Sequence, residues 1–205
     1  MAPERPPSPL DLLRDRRAMV DAGLGPVAFV VVNALAGLHT AAAVSVGISL
    51  LLCAERLIRR GPVANALGGL LATGLAVFLA LSTGKAETYF VPRALYQAAL
   101  ALVFAGSVAV RRPLVAWIYA ALYRAPAAWV RERRVRRAFA EVTLAWAALF
   151  ALRAGLYGIF IALGKTGWLA AASVVLGWPA FLGLLWLTYR YTPRRLAQLG
   201  APEPA

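Results

Sequence analysis

The sequence predicts an all-α integral membrane protein, a bundle of about six transmembrane helices with a short interfacial helix between the fourth and the fifth. The chain is 61% hydrophobic and only 15% charged, with a mean hydropathy of +0.68, whereas soluble domains are about 45–50% apolar. The apolar residues form continuous blocks, which favours helices over the alternating strands of a transmembrane barrel. The arginines gather at the ends of these blocks, where lipid headgroups lie.

The first apolar block follows a polar lead, residues 1–22, which is rich in proline and in charges of both signs. We assign this lead to a cytoplasmic tail. It is long for a signal peptide, and no small-residue cleavage site follows the first apolar run. The transmembrane domain is therefore expected over residues 23–192, and a second cytoplasmic tail over 193–205.

The stretch from Ala22 to Ala54 carries no formal charge when His39 is neutral. As one helix it would extend about 50 Å, against a hydrocarbon core of about 30 Å. The sequence GLHT at 37–40 is the expected break, which gives helices at about 24–37 and 40–57. The residues leave open whether these form two full spans, a re-entrant hairpin or one long span.

The later helices follow from block length and from proline. A polar loop, GKAET at 84–88, precedes the fourth helix, where Pro92 suits the first turn because its missing N–H would be unpaired there. The segment at 111–126 is too short to span and places Trp117, Tyr119 and Tyr123 at headgroup level. The last helix contains Pro179 and should kink there. The expected spans are 63–83, 90–110, 138–163 and 168–191.

The orientation follows from the basic residues, of which eighteen fall on one side of this layout and only Lys85, Arg93 and Lys165 on the other. Such an asymmetry places both termini in the cytoplasm. Each arginine near anionic headgroups contributes about 1 kcal/mol to membrane attraction. Anionic lipid is therefore the expected partner of the net charge of +13, rather than nucleic acid. The contacts are expected at Arg111, Arg112, Arg131, Arg133, Arg134, Arg136 and Arg137.

One arginine, Arg153, lies near the middle of the fifth apolar block. Insertion of a charge at that depth costs about 2.5–3.5 kcal/mol. Helical spacing places Trp146, Phe150 and Tyr157 on the same face, where the aromatic rings could stack on the guanidinium. Two interpretations stay open: a structural arginine that bonds backbone groups or snorkels, or a pocket open to the outside that binds an anionic or polar solute. That pocket would comprise Arg153, Tyr157, Asn33, Gln97 and Glu87.

Helix association in lipid depends on close packing of small residues. Ala41, Ser45 and Ser49 recur at four-residue spacing in the second helix, and Gly69 and Thr73 do so in the third. We expect these rows to form packing seams between the two helices.

Catalysis is not expected. His39 is the single histidine and suits a polar turn, while Cys53 is the single cysteine and reads as an inert buried thiol. The chain offers no set of metal ligands and no nucleophile–base arrangement inside the membrane. Neither a metal nor another cofactor is expected.

Three segments carry a resemblance to a known family: TGKAETYFVPRALYQAA (83–99), RRPLVAWI (111–118) and LAWAALFALRAGLYGIF (144–160). In their order and spacing they resemble domain of unknown function 3159, a family of actinobacterial membrane proteins, whose opening is matched by LGPVAFVVV (24–32). The resemblance covers most of residues 20–192. It implies a multi-helix membrane fold without an assigned activity.

More remotely, residues 112–114 and 144–147 are similar to intracellular septation protein A, a family of small inner-membrane proteins tied to division and envelope synthesis. This similarity implies a non-enzymatic envelope or division-associated scaffold. Such a scaffold would contact a second copy of itself or another envelope protein. The alternative, from the residues themselves, is a small transporter or channel-like carrier that uses the pocket around Arg153.

Overall fold

The computed structural model describes residues 16–58, 63–123 and 125–200, and within these ranges the regular structure is helical throughout. Four helical segments are long and apolar enough to cross a membrane: Pro26–Glu55, Ala86–Ala109, Arg133–Ala162 and Thr166–Gln198. Two shorter apolar helices accompany them. The all-α membrane fold is confirmed, and the number of crossings stays a prediction. Residues 1–15 and 201–205 of the expected tails, with Arg59 and Arg60, lie outside the described residues.

The helices follow one another with short connections, and a 3₁₀-helix at Ala86–Phe90 replaces much of the expected polar loop. The Thr88 hydroxyl there lies 2.7 Å from the Thr83 hydroxyl and 2.6 Å from the Lys85 carbonyl oxygen, which closes the turn. In chain order the α-helices are α1 Arg16–Ile58, α2 Val63–Thr83, α3 Val91–Ala109, α4 Leu114–Tyr123, α5 Ala127–Arg131, α6 Arg133–Ala162, α7 Thr166–Val175 and α8 Trp178–Gln198.

Large apolar side chains lie on the outer surface of these helices. Leu35, Leu71 and Leu102 are 82%, 73% and 74% exposed. In water such surfaces would drive aggregation. In a bilayer they contact acyl chains, so the distribution of side chains agrees with a membrane fold.

The described chain divides into two compact units. Unit 1 contains Gln97–Leu152 together with 179–200, and unit 2 contains Arg16–Tyr96 together with Arg153–Trp178. Each unit is therefore built from two separate stretches of the sequence.

Unit 2 is organised around a bend in α1 at Gly37, whose φ of 82° and ψ of 173° are not helical and suit only glycine. The Phe29 ring stacks on Tyr89 with centroids 4.0 Å apart, and Ser45 lies beside the same Tyr89 phenol. A straight helix would separate residues 29 and 45 by about 24 Å. The two arms of α1 therefore fold back on each other, which confirms the expected break and excludes one straight span.

The seam of small residues is confirmed for the row on α1 and for Thr73 of α2, whereas Gly69 is exposed. Ala41 and Ser45 are buried, and the Ser49 hydroxyl donates to Thr73 Oγ1 at 2.8 Å. Small side chains let the two helix backbones approach, and the hydroxyl pair links them in surroundings without water.

Unit 1 packs α4, α5, the first part of α6 and the end of α8 around aromatic side chains. Tyr119 of α4 lies against Trp129 and Phe139, with ring centroids 5.8 and 5.2 Å apart. The buried alanines Ala116 and Ala120 leave room for these rings.

Three helix boundaries differ from the sequence-based expectation. Helix α6 begins at Arg133 rather than at residue 138, because buried Val135, Ala138, Phe139 and Val142 continue its apolar face through the basic segment. Helix α1 begins at Arg16, within the stretch expected to be a tail. Helix α8 continues to Gln198, beyond the expected domain end at 192.

The expected kink at Pro179 is a complete break between α7 and α8, with a turn at residues 176–177. Pro179 then lies in the first turn of α8, where its missing N–H is harmless. A Cβ atom built on Gly177 would overlap the Ser173 carbonyl oxygen. Glycine is therefore required at the junction itself.

Candidate functional site

Arg153 lies on α6 within unit 2, and its side chain is only 5% exposed. Its Nη2 donates a hydrogen bond of 2.7 Å to the carbonyl oxygen of Gly177. That carbonyl lies directly after the C-terminal end of α7, where the helix dipole places partial negative charge. The arginine thus has the kind of backbone bond that the structural interpretation expects.

The hydrogen-bonding capacity of the Arg153 guanidinium is nevertheless only partly used. Tyr157, one turn further along α6, is buried, and Tyr157 and Arg93 are both close enough to interact electrostatically with the guanidinium. The Arg153 Nε and the Ser173 hydroxyl are buried without a hydrogen-bond partner. Because buried polar atoms are usually bonded, unit 2 retains unused hydrogen-bonding capacity.

The other expected members of this pocket are not gathered around the arginine by hydrogen bonds. Among the described residues, no hydrogen bond joins Arg153 to Asn33 or Glu87, both of which are half-buried. The Glu87 carboxylate faces Gly164, where a built Cβ would lie 3.7 Å from its Oε1. Gln97 is buried but belongs to unit 1. The structure therefore brings Arg153 and Tyr157 together, and the wider pocket stays a prediction.

Trp146 and Phe150, which were expected to flank Arg153, have packing partners within unit 1. The Trp146 indole Nε1 donates to Thr188 Oγ1 at 3.1 Å, and its ring lies 5.0 Å from that of Phe181. Phe150 packs edge-on against Phe104 at 5.2 Å. These rings join α3, α6 and α8 in an apolar cluster.

The basic residues expected to contact lipid lie in unit 1, on either side of the stretch from Leu114 to Val130 along the chain. Arg136 is half-buried, and the Arg134 Nη1 donates to the Gly200 carbonyl oxygen at 2.8 Å. We call the exposed members the basic face: Arg111, Arg112, Arg131, Arg133, Arg134 and Arg137.

An ion pair that the sequence did not reveal joins α6 to α8 beside this face. The Glu141 carboxylate accepts two hydrogen bonds from Arg195, at 2.7 and 2.9 Å, and a third from the Tyr191 hydroxyl at 2.7 Å. Such a bidentate pair has a defined geometry. Its members are more than fifty positions apart, so no local pattern indicated them.

Unit 1 also contains a cavity of about 740 Å³, within the usual size range of small-molecule sites. Most of its wall is apolar or aromatic, and one helix, α8, supplies the two threonines and two arginines in it. The lining residues are Phe104, Val115, Ile118, Tyr119, Leu122, Tyr123, Trp146, Phe150, Phe181, Leu185, Thr188, Tyr189, Arg190, Thr192, Pro193 and Arg194.

The sequence did not indicate this cavity, because its wall comes from four helices that no linear pattern connects. The sequence pattern that could have indicated the cavity is on α8. Thr188 and Thr192 are one helical turn apart there, and so are Arg190 and Arg194. Burial raises the pKa of the Tyr119 phenol, and the neighbouring phenols of Tyr123 and Tyr189 add to the effect. Tyr119 therefore stays a neutral hydroxyl in the cavity wall.

Metal-binding chemistry has no candidate residues in the part of the chain that the structure describes. No group of three or more His, Cys, Asp or Glu side chains there is arranged to hold a metal ion. Cys53 is a free, buried thiol.

No curated protein and no solved structure matches the chain. A family described as protein of unknown function (DUF3159) matches residues 15–198. That range contains every described helix, and with them Arg153, the basic face and the cavity wall. The chain belongs to the DUF3159 family of proteins of unknown function.

Proposed function

We propose that the protein is a non-enzymatic scaffold of the bacterial inner membrane, with both termini in the cytoplasm, that holds anionic headgroups on its basic face. The observation that carries the proposal is that six exposed arginines flank, along the chain, the stretch that carries the aromatic cluster of Tyr119, Tyr123 and Trp129. Arginine attracts anionic headgroups, and tyrosine and tryptophan favour the headgroup level. The two features together are typical of a surface that lies at the membrane interface.

The contacts beneath the basic face support a scaffold rather than a loose basic tail. The Glu141–Arg195 pair and the bond from Arg134 to Gly200 tie the start of α6 to the end of α8. The charges are therefore presented by packed helices, which can hold a fixed arrangement of lipids, of a second copy or of an envelope protein. The association with division and envelope synthesis rests on the similarity of residues 112–114 and 144–147 to septation protein A.

The test removes charge from the basic face of the full-length chain. We expect Arg131→Gln, Arg133→Gln and Arg137→Gln, combined, to lower the enrichment of phosphatidylglycerol around the protein in mixed nanodiscs. Attraction of about 1 kcal/mol per arginine corresponds to roughly a fivefold change for each residue. The same variant should fail to restore septum and envelope morphology in a deletion strain, at equal abundance in the membrane.

The control is Lys85→Gln with Lys165→Gln, which removes two exposed charges from the loops expected on the other side of the membrane. This control should retain both the lipid enrichment and the rescue of morphology. Equal behaviour of the two variants would contradict the proposed role of the basic face.

A carrier function is the second candidate, and one observation favours it. Arg153 Nε and Ser173 Oγ are buried without partners, and a solute that enters between the helices of unit 2 would supply the missing hydrogen bonds. A carrier needs the charge of Arg153. Uptake of an anionic solute into reconstituted vesicles should therefore disappear in Arg153→Leu and persist in Arg153→Lys, and the absence of uptake by the unmodified protein across a panel of small anions would contradict it.

A further inference from the structure

We propose that the unit 1 cavity binds one molecule of anionic phospholipid, with an acyl chain in the aromatic part and the phosphate between Arg190 and Arg194. The inference deepens the proposed function, since it rests on the same membrane leaflet and names one specific lipid site. The basic face attracts many lipids, whereas this cavity would retain one.

The wall of the cavity matches the two parts of such a molecule. Phe104, Trp146, Phe150 and Phe181 belong to one continuous apolar cluster, and all four line the cavity. An acyl chain in contact with them is shielded from water, as in most small-molecule sites. The volume of about 740 Å³ is large for a small inorganic ion, which would leave the apolar wall without a contact.

The polar part of the wall carries positive charge without a matching carboxylate. Arg190 and Arg194 lie one turn apart on α8, and in the described part of the chain neither forms an ion pair. Their neighbour Arg195, by contrast, is bonded to Glu141. The Arg190 guanidinium lies 5.6 Å from the centre of the Trp186 ring, which supports it from one side. Two adjacent guanidinium groups complement a phosphate diester.

Thr192 supplies the second, independent observation. Thr192 is one of the residues that line the cavity, its side chain is only 2% exposed, and its buried hydroxyl has no hydrogen-bond partner. A threonine within a helix commonly bonds the carbonyl one turn earlier, as buried Thr143 does to Phe139 at 2.7 Å. Thr192 does not, so its hydroxyl keeps an unused hydrogen-bonding capacity within the wall of the cavity.

The test measures lipid retention by the full-length protein in a mild detergent, with native mass spectrometry as the readout. Phosphatidylglycerol and phosphatidylcholine with identical acyl chains are titrated against the protein. We expect one phosphatidylglycerol per chain to be retained in preference to phosphatidylcholine. Arg190→Gln with Arg194→Gln should weaken this binding by roughly 25-fold, about fivefold for each arginine, and Thr192→Val should weaken it several-fold.

Two matched variants make the result specific to the cavity. Arg133→Gln with Arg137→Gln removes the same number of charges from the basic face, and Thr143→Val removes a buried hydroxyl that already has a partner. Neither should alter retention of the single lipid. Glycerol 3-phosphate, which has the headgroup phosphate without acyl chains, should not compete at concentrations at which the lipid saturates the site.

Three results would overturn the proposal: equal retention of the two lipids, equal effects of the two arginine pairs, or competition by glycerol 3-phosphate as strong as that by the lipid. Because the single retained lipid is counted in detergent and general enrichment is measured in nanodiscs, the two proposals can fail separately. If the basic-face variant shows unchanged phosphatidylglycerol enrichment in nanodiscs while the single lipid is still retained in detergent, only the proposed role of the basic face is contradicted.

Discussion

At the scale of single residues, Arg153 shows how far a sequence can identify a buried charge without finding its partner. Its depth and its proximity to Tyr157 follow from helical spacing alone. Its hydrogen-bond partner, Gly177, lies 24 positions away. Gly177 lies in the break between α7 and α8, where the sequence predicted only a kink at Pro179. A hydrogen bond to a charged group contributes about 1.5–3 kcal/mol, which offsets much of the insertion cost of about 2.5–3.5 kcal/mol.

Replacing this arginine tests the bond directly. We expect Arg153→Leu to loosen the junction between α7 and α8, because Gly177 loses the donor that holds it. The amides of residues 176–178, 180 and 181 should exchange hydrogen about 10 to 100 times faster, as the bond energy implies. Exchange in α2, measured in the same experiment, serves as the internal reference, and unchanged exchange at the junction would refute the structural role.

Gly177 itself should not accept a side chain. In Gly177→Ala the new Cβ would overlap the Ser173 carbonyl oxygen, and overpacking of this kind costs about 1–3 kcal/mol. Gly183→Ala, in open space within α8, is the matched control and should be neutral or slightly stabilising. Thermal unfolding in detergent measures both, and equal melting temperatures would contradict the prediction.

At the scale of elements, the agreement between sequence and structure depends on what defines each boundary. Helix α2 occupies the expected range 63–83, since polar residues flank a continuous apolar block. The start of helix α6 was predicted five residues too late, because the arginines there conceal the helical spacing of the apolar residues Val135 and Phe139. The loop at 84–88 is largely a 3₁₀-helix held by threonine hydroxyls, which an apolar pattern does not indicate.

The bend in α1 should require glycine at position 37. Gly37→Ala places a side chain at a φ of 82°, where a non-glycine residue carries strain of about 1–3 kcal/mol. The surrounding space is open, so the whole effect comes from the backbone. Gly47→Ala, also in open space but within the helical second arm, should be neutral or stabilising. A Gly37→Ala protein as stable as the unmodified one would show that the arms do not depend on this conformation.

At the scale of the whole molecule, composition and the placement of charges were sufficient to predict an all-α membrane protein. They were not sufficient to predict the cavity in unit 1. A cavity wall drawn from four helices depends on how those helices pack, and packing in lipid relies on small residues that recur in many places. The Glu141–Arg195 pair was hidden for the same reason. Arg153 could be singled out because a charge in hydrocarbon is rare in any arrangement.

The Glu141–Arg195 pair should contribute to the stability of unit 1, because it joins α6 to α8. Glu141→Gln removes the charge that holds Arg195 and Tyr191. Because the pair is partly exposed, we expect a modest decrease of about 2 °C in the melting temperature. Glu132→Gln, an exposed carboxylate near the start of α6, is the control. A double-mutant cycle with Arg195→Gln should show that the two substitutions are not additive, and additivity would refute the coupling.

The division of each unit into two stretches of sequence has a consequence for biosynthesis. Unit 2 has all of its residues once Trp178 has been translated, whereas unit 1 still lacks 179–200 at that moment. Glu141 and Trp146 enter the bilayer long before Arg195 and Thr188, their partners, leave the ribosome. A chain truncated after Trp178 and released from the ribosome should therefore protect unit 2 from protease and leave unit 1 open to it. Helix α8, which is made after that point, is thus the helix that completes the wall of the cavity.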